Sequence, residues 1–197
     1  MRIKTPLSEE VVRSLKVGDV VHLDGVVYTG RDEVHMRALD MCDKGEKLPV
    51  DLNGAAIYHC GPIMRKKDDS WVLVAAGPTT SARMNSLEPR FIEGFGIRAV
   101  IGKGGMSQPT IDAMSKFGCV YLAITGGAAV LAAMGVTKVL GVEWLDLGMP
   151  EALWILEAGN LGPLIVGIDA HGDSLFKKVE EEVSRNLPFA RRRLGIG

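Results

Sequence analysis

The chain has 197 residues, enough for a domain to bury its own hydrophobic core, and we expect residues 1–197 to form a single domain. Apolar residues make up 47% of the chain and charged residues 24%, as in ordinary globular proteins, which excludes disordered and fibrous classes. The formal net charge of −1 predicts no general attraction to nucleic acid or to an anionic membrane surface.

Apolar runs in the sequence are too short to span a membrane, and the first residues lack the apolar core of a secretory signal, so we expect a cytoplasmic protein. The three cysteines, Cys42, Cys60 and Cys119, are widely spaced and form no CxxC pair. They therefore indicate neither a disulfide framework nor a zinc site. The histidines show no HxxxH or HExxH spacing, so we expect no metal site built by this chain alone.

The order of apolar runs and loops predicts the fold class. Two β-branched runs flank Asp24-Gly25 and predict an N-terminal β-hairpin over residues 18–29, and a first helix is predicted to open at Arg31. From residue 54 a short apolar run, a polar or glycine-rich loop and a helical segment recur. The predicted strands are Ala56–His59, Trp71–Ala76, Arg98–Ile101, Val120–Ile124, Val139–Trp144 and Leu164–Asp169. Helices are predicted to open near Ser86, Ser107 and Pro150, and a final charged helix to cover Lys177–Arg193. This alternation predicts an α/β fold with a mixed, largely parallel sheet.

In such a sheet ligands bind beyond the carboxyl ends of the strands, so the loops after the apolar runs are candidate sites. The loop at residues 77–86 combines Thr79, Thr80, Ser81 and Arg83 at a predicted strand-to-helix junction. Hydroxyls, helix-start amides and a guanidinium suit a carboxylate or a phosphate. The same residues are equally typical of a helix cap, in which Thr80 or Ser81 satisfies free amides and Arg83 lies in solvent.

Three other loops allow the same pair of interpretations. Lys103 stands among glycines at residues 102–105, either as a point charge for a small anion or in an ordinary exposed turn. The segment matches neither GxxxxGK[ST] nor GxGxxG. Arg31 and His35 are four residues apart, either as anion ligands or as part of an exposed helix start. The small residues of the segment 124–133 favour close packing over catalysis.

Taken in order, these segments resemble the β-type half of class I fumarate hydratases and L-tartrate dehydratases. The threonine-pair segment and the lysine loop are the most specific, and the likeness to the fumarase branch is the stronger. The resemblance covers nearly the whole chain, through residues 4–7, 28–32, 49–54, 77–84, 102–106, 125–129 and 168–172.

The resemblance implies a swivelling-type β/β/α domain that docks onto a second, α subunit, with α2β2 as the assembly. It implies a [4Fe–4S] cluster held by three cysteines of that α subunit, a role that the cysteines of this chain do not match. The substrate is implied to be the fumarate/malate dianion. The residues that are implied to face it are Arg31, Thr79, Thr80, Arg83 and Lys103.

The chemistry of these residues agrees with that set. A four-carbon dianion needs two groups of cationic donors, which two arginines and a lysine supply. The resemblance places Thr79 near the carbon that gains or loses a proton. A threonine hydroxyl is a poor base, so a carboxylate of the partner would have to accept its proton.

The expected function is therefore the β subunit of a hydro-lyase that reversibly hydrates fumarate to L-malate. An L-tartrate dehydratase is the alternative within the same enzyme class. From a different class, a non-catalytic assembly subunit would use its glycine loops only to pack against a partner. A nucleotide-binding module lacks both glycine fingerprints.

Overall fold

The computed structural model describes residues 1–196. Its strands are β1 (Arg2–Lys4), β2 (Val20–Thr29), β3 (Ala56–Tyr58), β4 (Ile63–Lys67), β5 (Ser70–Ala75), β6 (Ala99–Gly102), β7 (Val120–Ala123), β8 (Val136–Glu143) and β9 (Leu153–Ile168). Its helices are α1 (Glu9–Ser14), α2 (Asp32–Asp43), α3 (Glu88–Phe95), α4 (Gln108–Phe117), α5 (Ala129–Met134) and α6 (Leu175–Leu194).

The main sheet has seven strands in the order β1-β2-β3-β6-β7-β9-β8, and its first five are parallel. β9 is antiparallel to its neighbours and pairs both with β7 and, along most of its length, with β2. Five strands, β2, β3, β6, β7 and β9, thereby close into a barrel. The predicted α/β class with a mixed, largely parallel sheet is confirmed.

Two cores follow from the alternation of side chains along these strands. One fills the barrel and includes Leu23, Tyr58, Ile101, Leu122 and Leu164, all fully buried. The other lies between the outer face of the parallel strands and the helices α2, α3 and α4. A small third cluster packs the β4–β5 hairpin against β9, with Trp71 and Trp154 in edge-to-face contact at 5.2 Å between ring centroids.

The predicted N-terminal hairpin is wrong, because residues 20–29 form one continuous strand, β2. Gly25 has a positive φ of 93°, as a turn residue would, but its pairing with Ala158 of β9 is shifted as in a β-bulge. A Cβ on Gly25 would lie 2.8 Å from the backbone oxygen of Thr5. The glycine therefore permits a close approach of the N-terminal segment within a strand rather than a reversal of the chain.

Two further corrections concern helices. A short helix, α1, precedes α2, so the helix at Arg31 is not the first. The helix predicted at Pro150 is absent from the described chain, where residues 148–152 form a turn that leads into β9. The apolar run predicted as Leu164–Asp169 is only the end of that 16-residue strand. The helices predicted from Ser86 and Ser107 are confirmed, and each ends at a left-handed glycine, Gly96 or Gly118.

Within residues 1–196, no helix combines the length and apolarity needed to cross a lipid bilayer.

Candidate active site

The carboxyl ends of β3 and β6 lie side by side and hold the threonine loop between them. The amide of Thr79 donates to the carbonyl of His59 at 2.6 Å, and the amide of Ser81 donates to the carbonyl of Lys103 at 3.0 Å. Thr80 and Lys103 form a parallel β-bridge. The structure therefore brings Thr79, Thr80 and Lys103 to one edge of the sheet, where parallel-sheet proteins bind ligands.

Arg31 reaches the same edge from the end of β2, at the N-cap of α2. Its Nη2 lies 2.7 Å from Oε1 of Glu151, and both side chains are about four-fifths buried. Thr29 fixes this pair, because its hydroxyl bonds both Ala152 and Trp154 and so joins the start of β9 to β2. The Nε of Arg31 is buried and has no hydrogen-bond partner within residues 1–196. Arg31 is thus held in place while part of its donor capacity stays unused.

The other two predicted cations lie at the rim. Arg83 is half-exposed, and its Nη2 lies 2.6 Å from Oδ2 of Asp32 in the first turn of α2. Lys103 is partly buried and makes no ion pair within the described chain. A Cβ on Gly126 would lie 3.7 Å from its Nζ, so the glycine-rich loop after β7 borders the lysine. Three cations therefore lie at one edge of the sheet. Only two carboxylates, Glu151 and Asp32, pair with them, so these five side chains carry a net positive charge.

The helix-cap interpretation of the threonine loop is right about the exposure of Arg83 and wrong about side-chain capping by Thr80 or Ser81. Thr80 occupies the N-cap of a 3₁₀ turn over Ser81–Met84, but its side chain makes no capping hydrogen bond. The side chain of Ser81 is fully buried and points inward. The loop is therefore anchored from beneath and leaves the hydroxyl of Thr80 uncommitted to the turn.

Beneath the loop lies a buried polar network of Ser81, Tyr121, His59, Glu88 and His35. The Oγ of Ser81 lies 2.9 Å from Nδ1 of His59 and 3.0 Å from the hydroxyl of Tyr121. Nε2 of His59 and Nε2 of His35 lie 3.0 and 3.2 Å from the same oxygen, Oε2 of Glu88. Neither N–H is well aligned with that oxygen, so the attraction is mainly coulombic. The two histidines and the glutamate are all fully buried.

The charges of this network follow from its surroundings. Burial alone would raise the pKa of Glu88, but the two imidazoles lower it to about 2. Burial disfavours the charged form of His35, yet Glu88 and the carbonyl of Arg31 outweigh it and raise the pKa of His35. For His59, burial prevails and lowers the pKa. These shifts favour the ionised form of Glu88, the protonated form of His35 and the neutral form of His59.

These charges fix the direction of the hydrogen bonds. A neutral His59 that turns its Nε2–H toward Glu88 accepts the hydroxyl proton of Ser81 at Nδ1. Ser81 then accepts from the hydroxyl of Tyr121. The hydrogen-bond chain from Tyr121 through Ser81 to His59 runs one way, and it orients Ser81 and with it the loop that carries Thr79 and Thr80.

The side chains that could hold a metal ion or an iron–sulfur cluster are a buried histidine–glutamate set and three separate cysteines. In residues 1–196, His35, His59 and Glu88 form the one set of three such side chains with ligand atoms within 4.8 Å of one another. Both imidazoles converge on one carboxylate oxygen at hydrogen-bond distance, which is the arrangement of a paired charge cluster. Cys60 lies in the barrel core, Cys119 in the outer core and Cys42 at the surface. The cysteines do not fit a shared iron–sulfur cluster.

Sequence reasoning missed Glu88 and Tyr121. The usable signal at Glu88 was a carboxylate at the first position of an amphipathic helix, a place also typical of an exposed acid favourable to the helix dipole. Tyr121 lies within an apolar strand, where an aromatic residue indicates only packing. His35 and His59 were noticed, but neither spacing nor periodicity shows that the two meet.

Comparison with known proteins shows to which family this chain belongs. The family model described as "Fumarase C-terminus" matches residues 1–179. The chain belongs to the fumarase C-terminal family. It is 51% identical over 182 residues to a Methanocaldococcus jannaschii protein named "Putative L(+)-tartrate dehydratase subunit beta", covering 92% of this chain and 93% of that one. It is 45% identical over 173 residues to the L(+)-tartrate dehydratase subunit beta of Escherichia coli, covering 88% and 85% of the two chains.

A third relative in the fumarase C-terminal family is a longer protein that is named as a hydratase. The chain is 46% identical over 186 residues to a Geobacillus stearothermophilus protein named "Putative fumarate hydratase class I", covering 94% of this chain but 35% of that protein. The chain thus corresponds to about a third of one relative and to most of two separate β subunits. The resemblance seen in the motifs is confirmed.

Proposed function

We propose that this chain is the β subunit of a hydro-lyase that interconverts fumarate and L-malate together with a cluster-bearing α subunit. The observation that carries the proposal is the convergence of Arg31, Arg83 and Lys103 with Thr79 and Thr80 at one sheet edge. The family membership and the named dehydratase and hydratase relatives support the reaction class.

Each of the three cations is proposed to bind a different part of the dianion or to bind it in a different way. Arg31, fixed by Glu151, offers a planar donor edge in a partly buried place, where a charged hydrogen bond is strongest. Lys103 supplies a compact point charge across the threonine loop. Arg83 lies at the rim, where its half-exposed guanidinium can exchange Asp32 for a substrate carboxylate.

Thr79 is the proposed proton-transfer residue. Its backbone is fixed to His59, and Ser81, two residues further on, is anchored in the buried network, so the hydroxyl of Thr79 is presented from a rigid loop. This chain brings no carboxylate into an ion pair or hydrogen bond with Thr79 within residues 1–196. A carboxylate of the α subunit is therefore proposed to take up the proton.

An exposed apolar helix beside the site supports a partner that completes it. On α5, Val130, Leu131 and Met134 are 63%, 69% and 75% exposed. α5 borders the threonine loop, since the amide of Ala76 donates to Ala129 at 2.9 Å. An α subunit seated on α5 would cover the open edge, and α2β2 is the proposed assembly.

The [4Fe–4S] cluster is proposed to belong to the α subunit, because the cysteines of this chain do not fit it. When bound, it would supply a Lewis acid for the substrate hydroxyl.

The test uses the chain produced together with its α subunit and an ultraviolet assay of fumarate formed from malate. Arg83→Ala is expected to lower kcat/KM about 10–100-fold, as loss of a charged hydrogen bond does. Arg90→Ala is the matched control, because Arg90 is 59% exposed against 49% for Arg83 and also pairs with a single carboxylate, Asp43, on the surface. Unchanged activity in both variants would favour a non-catalytic assembly subunit.

L-tartrate is the second candidate substrate. It is favoured by the two separate β-subunit relatives, which this chain matches over 93% and 85% of their lengths. The same cations would bind a diacid with one more hydroxyl. Turnover of L-tartrate above that of malate by the assembled enzyme would establish this second candidate.

A further inference from the structure

The last helix, α6, carries an apolar surface that the rest of residues 1–196 leaves uncovered. α6 has 20 residues and no buried side chain. Its first turn is anchored, since the rings of Phe176 and Tyr121 meet edge to face at 5.9 Å and Lys177 bonds Gln108. The family-model match ends at residue 179, so most of α6 lies beyond that match and outside the site proposed above.

Most of the exposed apolar residues of α6 form one stripe, and Phe189, which is 63% exposed, lies off it. At about 100° per residue, positions 179, 183, 187, 190 and 194 fall on one face. Val179, Val183, Leu187 and Leu194 are 52%, 56%, 45% and 72% exposed. They border a shallow groove lined by Val179, Glu182, Val183, Asn186, Leu187 and Ala190. Pro188, inside the helix, lies on the far face and leaves the stripe continuous.

With Asn186 added beside Leu187, the stripe is symmetric about a point between these two residues, which would face each other across a two-fold pair. An antiparallel copy centred there would place Val179 opposite Leu194 and Val183 opposite Ala190, apolar against apolar. The paired segment of 16 residues would be about 24 Å long.

The flanking charges have the same symmetry. The helical positions place Glu180 and Arg191 on one flank of the stripe and Glu182 and Arg193 on the other. In an antiparallel pair like flanks meet, so Glu180 would face Arg191 of the second copy, and Glu182 would face Arg193. In a parallel pair opposite flanks meet. Glu180 would then face Glu182 of the second copy, and Arg191 would face Arg193, so like charges would repel.

We propose that α6 is a self-association surface that joins two copies of this chain through an antiparallel, two-fold helix pair. The occupant is a second copy of this chain, because the apolar stripe is complementary to itself about that centre and each charged flank is complementary to itself within about one residue of it. Such an interface is isologous, since each contact occurs twice.

The experiment measures the concentration-dependent mass of the full chain by sedimentation equilibrium, alone and in complex with its α subunit. Val183→Asp and Glu180→Arg are each expected to weaken self-association about tenfold or more, because every change acts twice across the two-fold axis. The double variant Glu180→Arg/Arg191→Glu is expected to restore it. Glu181→Arg is the control, since this residue lies on the far face of α6.

The outcomes separate the possible occupants. Restoration by the charge swap supports the antiparallel pair, because only a second copy carries the matching change. A chain that stays monomeric, or that associates equally in all variants, would overturn the proposal. If the single variants weaken self-association but the charge swap does not restore it, the proposal is overturned. If the variants lose α-subunit binding and keep self-association, the stripe belongs to a different partner, and the proposal is overturned too.

Discussion

Replacing Glu88 by glutamine tests whether the buried network is a charged cluster. The change keeps the size of the side chain but removes the negative charge that the two imidazoles share at 3.0 and 3.2 Å. His35 then loses the partner that raises its pKa, and its imidazolium is left unpaired in a fully buried place. The folded state should lose free energy and Ser81 should lose its orientation.

The magnitude follows from the pKa of Glu88. A pKa lowered from its ordinary 4.5 to about 2 corresponds to about 3 kcal/mol of unfolding free energy. Removing one partner of a buried charge pair costs about 3–5 kcal/mol in other proteins, which agrees. For a chain of this length, 3 kcal/mol lowers Tm by about 6–12 °C.

The assay is urea unfolding of the wild type and of Glu88→Gln between pH 4 and 9. The stabilisation from Glu88 is present above pH 4.5 and is lost as the pH falls toward 2, because its folded-state pKa is depressed. The stabilisation from His35 is complete below pH 6.5 and is lost as the pH rises through its raised folded-state pKa. The difference between the two proteins should therefore be greatest between pH 4.5 and 6.5.

Glu93→Gln on the exposed side of the same helix is the matched control and should change stability little at any pH. A Glu88→Gln difference below about 1 kcal/mol, or one that does not vary with pH, would refute the charged cluster.

The other predictions concern the loop and the glycine beneath it. Thr79→Ala should lower turnover about 10²–10⁴-fold with folding and α-subunit binding unchanged, and a variant that keeps more than about a tenth of wild-type turnover would exclude Thr79 from proton transfer. Gly102→Ala should destabilise the chain by about 1–3 kcal/mol, because the new methyl would overlap Oγ of Ser81, as thermal unfolding would show. Gly94→Ala, in the open on α3, should be neutral or stabilising by up to about 1 kcal/mol, and equal losses in the two glycine variants would contradict the steric argument.

Local pattern predicted most of the elements of the fold. The short apolar runs at β3, β6 and β7 and the glycine-terminated helices α3 and α4 lie where periodicity and helix-stop signals place them. The pattern failed for β2 and β9. Asp24-Gly25 is a good turn dipeptide, yet pairing of β2 with β1, β3 and β9 overrides it. The barrel itself depends on contacts between residues far apart in sequence, which no local window contains.

The sequence by itself determined the chemistry available to this protein. The Thr79-Thr80 pair, the arginines and Lys103 are placed by motif at the ends of predicted strands, which suffices to indicate an anion site. Tertiary structure alone decided which side chains meet. His35, His59 and Glu88 come from α2, the end of β3 and α3, and they form one cluster only because the sheet brings these elements over one another. Their charges follow from burial and proximity, and neither quantity is a property of residue type or spacing.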